Sequence, residues 1–178
     1  MNKAKTFKAL QHLCFCVAMT FPIHSFSQIT PEPSKDHASL LESHDPVLAA
    51  NKKLVYDMYR EVLEAGQVSR IPHYFVENYI QHNPNVEQGR AALEAFIAGS
   101  RPARAVDSEI KLPLISIVAE RDIVMINFIR PEEDAEGNIY YTTWFDVFRI
   151  ENGKIAEHWD PALKDPDALK FNPNTQRL

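Results

Sequence analysis

Beyond Arg101 the apolar residues stop recurring at steps of three and four and begin to alternate. This change of period constrains the fold more than any other feature, because alternation places every second side chain on one face of a strand. Four segments carry it: 108–120 (SEIKLPLISIVAE), 122–132 (DIVMINFIRPE), 139–150 (IYYTTWFDVFRI) and 153–161 (GKIAEHWDP). Between them lie Glu-Arg-Asp, Asp-Ala-Glu-Gly-Asn and Glu-Asn-Gly, residues that favour tight turns, so an antiparallel meander is expected. The third segment is apolar on both faces, with Trp144, Phe148 and Ile150 on one and Tyr141, Phe145 and Val147 on the other. That pattern predicts a central strand covered on both sides.

Ahead of the switch the period is helical. Val47, Leu48, Leu54, Val55, Met58, Tyr59, Val62 and Leu63 mark one face of a helix that Asp45 can cap, Pro46 can open and Gly66 can end. Segment 68–80 (VSRIPHYFVENYI) contains Pro72 and reads as a broken second helix leading into a short extended piece at YIQHNP. Segment 87–101 predicts a further helix with Leu93, Phe96 and Ile97 inward, entered at Gly89 and supported by an Arg90–Glu94 pair. Helices followed by an antiparallel meander make an α+β domain.

The N-terminus follows a different logic. Lys3, Lys5 and Lys8 precede an apolar stretch free of acids, and Ser25 and Ser27 stand at the spacing a signal peptidase accepts. A signal peptide over 1–27 is expected, and with it a periplasmic or secreted protein. Cleavage would remove both cysteines, Cys14 and Cys16, which excludes disulfides, thiolate metal sites and a cysteine nucleophile from the mature chain. It would also take three lysines and no acid, moving the net charge from −5 to −8. Without a basic cluster, nucleic acid is an unsuitable partner, and so is an anionic membrane once the signal is gone. The expected organisation is a Pro- and charge-rich flexible leader at 28–45, one domain at 46–162 and a polar tail at 163–178.

The chemistry concentrates in FDVFRIENGKIAEHWDP, residues 145–161, an apolar hairpin that nevertheless holds Asp146, Glu157, His158 and Asp160. On a strand His158 and Asp160 share a face, with Glu157 and Trp159 opposite. Whether Asp146 joins them depends on the turn. A two-residue Asn152-Gly153 loop pairs Val147 with His158 and sends Asp146 away, whereas a bulged Glu151-Asn152-Gly153 loop pairs Asp146 with His158 and Trp144 with Asp160. In the second register, two carboxylates and an imidazole meet in an apolar hollow, where burial and mutual charge can separate a proton donor from a proton acceptor. The alternative is structural: an Asp146–His158 pair, with Asp160 closing the strand before Pro161.

FDVFRIENGKIAEHWD resembles the C-terminal hairpin of SnoaL-like polyketide cyclases, and YIQHNPNVEQGRAALEAFIAG resembles the segment preceding their sheet. The family belongs to the nuclear-transport-factor-2-like superfamily, as do limonene epoxide hydrolases. The resemblance covers about residues 46–162. It implies a cone-shaped α+β fold, with N-terminal helices packed on a curved antiparallel sheet around a deep apolar pocket, and a homodimer formed through the outer face of the sheet. It implies a cofactor-independent acid/base enzyme, an aldol-type cyclase or a related isomerase or hydrolase, acting on a small hydrophobic carbonyl compound. Asp160 matches the acid/base carboxylate; His158 would line the pocket, and the bulged turn that adds Asp146 is favoured. His82 matches a pocket-wall position, although as a residue of YIQHNP it could equally cap its own loop. Tyr79, Trp144 and Phe148 would contact substrate, or serve as core. No metal or other cofactor is expected. The second Asp with a nearby Arg that epoxide hydrolases carry has no clear match, since Arg130 ends a strand and Asp122 sits in a turn. An exported protein that binds a small hydrophobic ligand without transforming it is the alternative function, and a homodimeric scaffold with a filled pocket is a third.

Overall fold

The computed structural model describes residues 28–164. The expected signal peptide and most of the expected tail lie outside this range. Helix α1 (His37–Leu41) precedes α2 (Pro46–Met58), which runs into a π-helical stretch (Tyr59–Glu64); a 3-10 turn (Val68–Arg70) and short α3 (Ile71–Tyr74) lead to strand β1 (Phe75–Gln81). Then come α4 (Arg90–Ser100) and strands β2 (Leu114–Glu120), β3 (Ile123–Glu133), β4 (Ile139–Glu151) and β5 (Lys154–Trp159). Among the described residues no helix is long and apolar enough to cross a membrane.

Asp45 accepts hydrogen bonds from the backbone N–H groups of Val47 and Leu48 and so starts α2, with Pro46 in the first turn where no N–H is needed. Val55, Tyr56 and Met58 face the core, while Val47 is exposed despite its place in the helical pattern. The π-helical stretch closes an i→i+5 bond from Ala65 N–H to the Arg60 carbonyl. This slower winding brings Met58 and Leu63, five positions apart, to one cavity wall. Gly66, at φ 67°, ends the helix in a left-handed conformation that a side chain would disfavour.

The sheet order is β1-β5-β4-β3-β2, and β2 to β5 form the expected antiparallel meander. The fifth strand is β1, which the sequence shows only as a short extended piece. It lies parallel to β5, with Gln81 beside His158, and its register shifts between Phe75 and Ile80. On the inner face Leu114, Ile117, Val124, Ile126, Phe128, Trp144, Phe148, Ile150 and Ile155 pack against α2, the π-helical stretch and α4. Tyr59 bridges the layers, its ring 5.0 Å from Phe128 and 6.4 Å from Phe148.

Two expectations about packing are corrected. Among the described residues the outer face of β4 is only partly covered: Tyr141, Phe145 and Val147 are half-buried, and the helices pack on the inner face. Part of the expected leader, 28–45, docks on the domain, although most of its residues are exposed. Asp36 caps α1, Leu40 and Leu41 pack against the core, Ser34 N–H donates to the Leu114 carbonyl at 2.8 Å, and His37 Nδ1 meets the Tyr56 hydroxyl at 2.9 Å. Two leucines on one short capped turn suffice to dock it.

Candidate functional site

The turn joining β4 to β5 is the two-residue Asn152-Gly153, with φ of 50° and 73° and Glu151 paired with Lys154. Left-handed conformation at both central residues matches the twist of the strands it joins. Continued without interruption, that turn would send Asp146 and His158 to opposite faces. Instead the register shifts after the Ile150–Ile155 pair, leaving Ala156 as an extra residue, and Arg149 pairs with Glu157 and Phe148 with His158. The expected bulge at the Glu-Asn-Gly corner is therefore corrected: the bulge lies inside β5. It restores the face but not the pairs, since Asp146 is not opposite His158 nor Trp144 opposite Asp160.

One residue of slippage decides the chemistry. His158 stacks on Phe148, with ring centroids 4.8 Å apart, and reaches diagonally to Asp146, Nε2 to Oδ1 at 2.9 Å. Nε2 also stands 3.9 Å from Asp160 Oδ2. The Trp144 indole N–H donates to Asp146 Oδ1 at 3.3 Å. Asp160 is held as an acceptor at both oxygens, by Asn83 Nδ2 at 2.6 Å and by the Ala162 backbone N–H at 3.0 Å. Gln81 completes the ring of contacts: its Oε1 lies 2.8 Å from His158 Nδ1 and 2.9 Å from the Asn83 backbone nitrogen, and its Nε2 lies 3.1 Å from the Tyr79 hydroxyl.

Burial governs the electrostatics. Asp146 is 4% exposed, and desolvation pushes its carboxyl above the ordinary aspartate range; the hydrogen bond from His158 opposes this and the charge of Asp160 adds to it. Burial also pushes the Tyr79 phenol up, reinforced by Asp160, so it stays a neutral hydroxyl.

These groups form one wall of a cavity. The rest of its lining is apolar, supplied chiefly by Met58, Leu63, Phe75, Leu93 and Phe96, and about 50 Å³ remains for the centres of water-sized groups. That is several times the space one water needs. Of the expected site residues, Asp146, His158, Asp160, Tyr79, Trp144 and Phe148 all line the cavity.

His82 does not. Its ring stacks on Trp159, centroids 4.6 Å apart, and its Nε2 meets Glu157 Oε2 at 3.0 Å on the outer face, so the expected pocket-wall position is corrected. The reason is strand parity: Tyr79, Gln81 and Asn83 turn inward together, and His82 between them must turn out. Gln81 and Asn83 are the polar residues that the sequence reading missed. Their signal was present, because placing Tyr79 on the wall already implies Gln81.

Asp146, His158 and Asp160 are also the described residues whose ligand atoms, all within 4.8 Å of one another, could hold a metal ion. As they stand, the 2.9 Å spacing of the first two is that of a hydrogen bond.

Residues 53–162 match the family of SnoaL-like polyketide cyclases. Among solved structures the chain is similar to TsrD from Streptomyces laurentii, at 24% identity over 66% of this chain and 90% of that one, with a TM-score of 0.43. It is similar to an NTF2-like protein from Burkholderia pseudomallei, at 14% identity over 62% and 88%, TM-score 0.44. An epoxide hydrolase of LEH-like type from M. tuberculosis gives 11% identity over 65% and 84%, TM-score 0.47. No curated protein matches in sequence. With the family matched over most of the domain and the sheet, helices and cavity in place, this chain belongs to the SnoaL-like polyketide cyclase family.

Proposed function

We propose that the cavity is the active site of an acid/base enzyme that closes a ring in a small, neutral, mostly apolar carbonyl compound by an aldol step. The observation that carries this is the buried Asp146–His158–Asp160 set, spaced at 2.9 and 3.9 Å, on the one polar wall of an apolar cavity. Among the described residues no Lys or Arg lines the cavity, which disfavours an anionic substrate.

The residues divide the work. Asp160, an acceptor at both oxygens, takes a proton from the carbon next to one carbonyl. The resulting enolate carbon bonds to the second carbonyl carbon, and the proton held between Asp146 and His158 passes to the new alkoxide. Proton return from Asp160 across 3.9 Å to His158 Nε2 resets the site, so no proton is gained or lost. Phe148, Trp144 and Tyr79 shape the space in which the two carbonyls meet.

The half-buried outer face of β4, with Val118 on β2 and Ile80 on β1 more than 40% exposed at the two edges of the sheet, supports a homodimer through that face. The basic and apolar N-terminal sequence supports export. The filled-pocket scaffold finds no support in an open cavity. The test is ring closure of a heptanedione to its aldol, a hydroxy- and methyl-substituted cyclohexanone, followed by chromatography. The wild-type chain should accelerate it, and Asp160→Asn and His158→Ala should each abolish the acceleration. Unchanged rates in both variants would reject the assignment. A chemically unaltered ligand retained by wild type and Asp160→Asn alike, seen by native mass spectrometry, would favour a binding protein.

A further inference from the structure

The orientation of the Gln81 amide has a consequence for the proton on His158. The Asn83 backbone nitrogen can only donate, so the Gln81 atom 2.9 Å from it is the oxygen. That same oxygen lies 2.8 Å from His158 Nδ1, and an oxygen with no hydrogen cannot donate to it. The amide nitrogen then falls 3.1 Å from the Tyr79 hydroxyl, which accepts, so the assignment is consistent at both ends. Gln81 itself has little freedom to move: it is 5% exposed, and its backbone N–H donates to Gln88 Oε1 at 3.0 Å while the Gln88 amide donates to its carbonyl.

We infer that Gln81 is a positioning residue whose amide oxygen keeps a proton on His158 Nδ1, reserving Nε2 for proton exchange with Asp146 and Asp160. The ionisable groups facing the ring are Asp146 from β4, Asp160 just beyond β5 and Tyr79 from β1. Both carboxylates lie on the Nε2 side, at 2.9 and 3.9 Å. The Nδ1 side holds an amide, which does not titrate. The imidazole is thus asymmetric, with one nitrogen fixed and one active, as a relay requires. Gln81 touches neither reacting carbon in this scheme; it acts through His158. The role in catalysis rests on the acid/base reading above, while the tautomer does not.

The two are separable by experiment. In the full chain labelled with nitrogen-15 at histidine, the Nδ1–H signal of His158 should persist from about pH 5 to about pH 9, whether the ring is neutral or charged. A lone pair on Nδ1 in the neutral ring would overturn the inference, whatever the activity. Gln81→Glu keeps an acceptor at the position and should retain the Nδ1–H tautomer. Gln81→Met removes the acceptor and should release the proton to Nε2, lowering kcat for heptanedione closure by on the order of 100-fold with KM little changed. A folded Gln81→Met chain that keeps the Nδ1–H tautomer would also overturn it. If neither chain turns over the heptanedione, the function fails and the tautomer assignment stands or falls on the spectra alone.

Discussion

His158 lies 2.9 Å from Asp146 although its register partner on β4 is Phe148. The contact is diagonal, two residues along the same face, and exists because Ala156 is squeezed out of the β4–β5 ladder. Extending the shifted register by one more same-face step would set Asp160 opposite Asp146. The bulge therefore gathers three ionisable groups that a regular hairpin with this turn would divide between core and solvent.

Replacing Asp146 by Asn should alter stability in a pH-dependent way. Burial raises the folded-state pKa of Asp146, so its contribution is present in full below the unfolded value, about 3.9, and is lost as pH rises through the folded value. Asn cannot ionise and escapes that loss. The difference in Tm, variant minus wild type, should become more positive as pH rises above about 4, by thermal melts. A difference that grows more negative over that window would contradict the account.

Phe148 supports the site from below, at 2% exposure, stacked against His158 and edge-on to Tyr59. Phe148→Ala should destabilise the chain by about 3–5 kcal/mol, the usual cost of emptying an aromatic core position. Urea melts would measure it, and a cost below about 1 kcal/mol would mean the layer is not packed as described.

His82 offers a control on the other side of the sheet. His82→Ala loses an exposed stack on Trp159 and a contact with Glu157 but touches nothing in the cavity. Turnover should stay within about twofold of wild type, and stability within about 1 kcal/mol. A loss of catalysis comparable to that of Asp160→Asn would mean that this histidine has been put on the wrong face.

Phe145 sits near the centre of the half-buried outer face. Phe145→Lys should convert the proposed homodimer to monomer in light scattering, because an unpaired charge at the centre of an apolar contact is costly. A wild-type chain that is already monomeric at high concentration would remove the proposal.

Much of this was legible in the sequence. The alternation after Arg101 carries the meander, and the spacing of His158 and Asp160 places both on one face. The facing of Asp146 was not legible, because the Asn-Gly turn and the net register carry opposite implications and only the position of the bulge reconciles them. Strand β1 was hidden for a related reason: Glu77 and Asn78 are exposed in mid-strand, and the shift between Phe75 and Ile80 breaks its alternation. Residue type points to His82 as the reactive group of YIQHNP, yet parity from Tyr79 selects the amides of Gln81 and Asn83. In 28–45, composition outweighed Leu40 and Leu41, which needed only a docking surface.

The most direct test of the central claim is proton removal from carbon. In heavy water, the wild-type chain should catalyse deuterium incorporation next to the carbonyls of a heptanedione, seen by mass spectrometry well above the buffer rate. Asp160→Asn should return that exchange to the buffer rate while His82→Ala preserves it. Exchange that survives in Asp160→Asn at the wild-type rate would contradict the account.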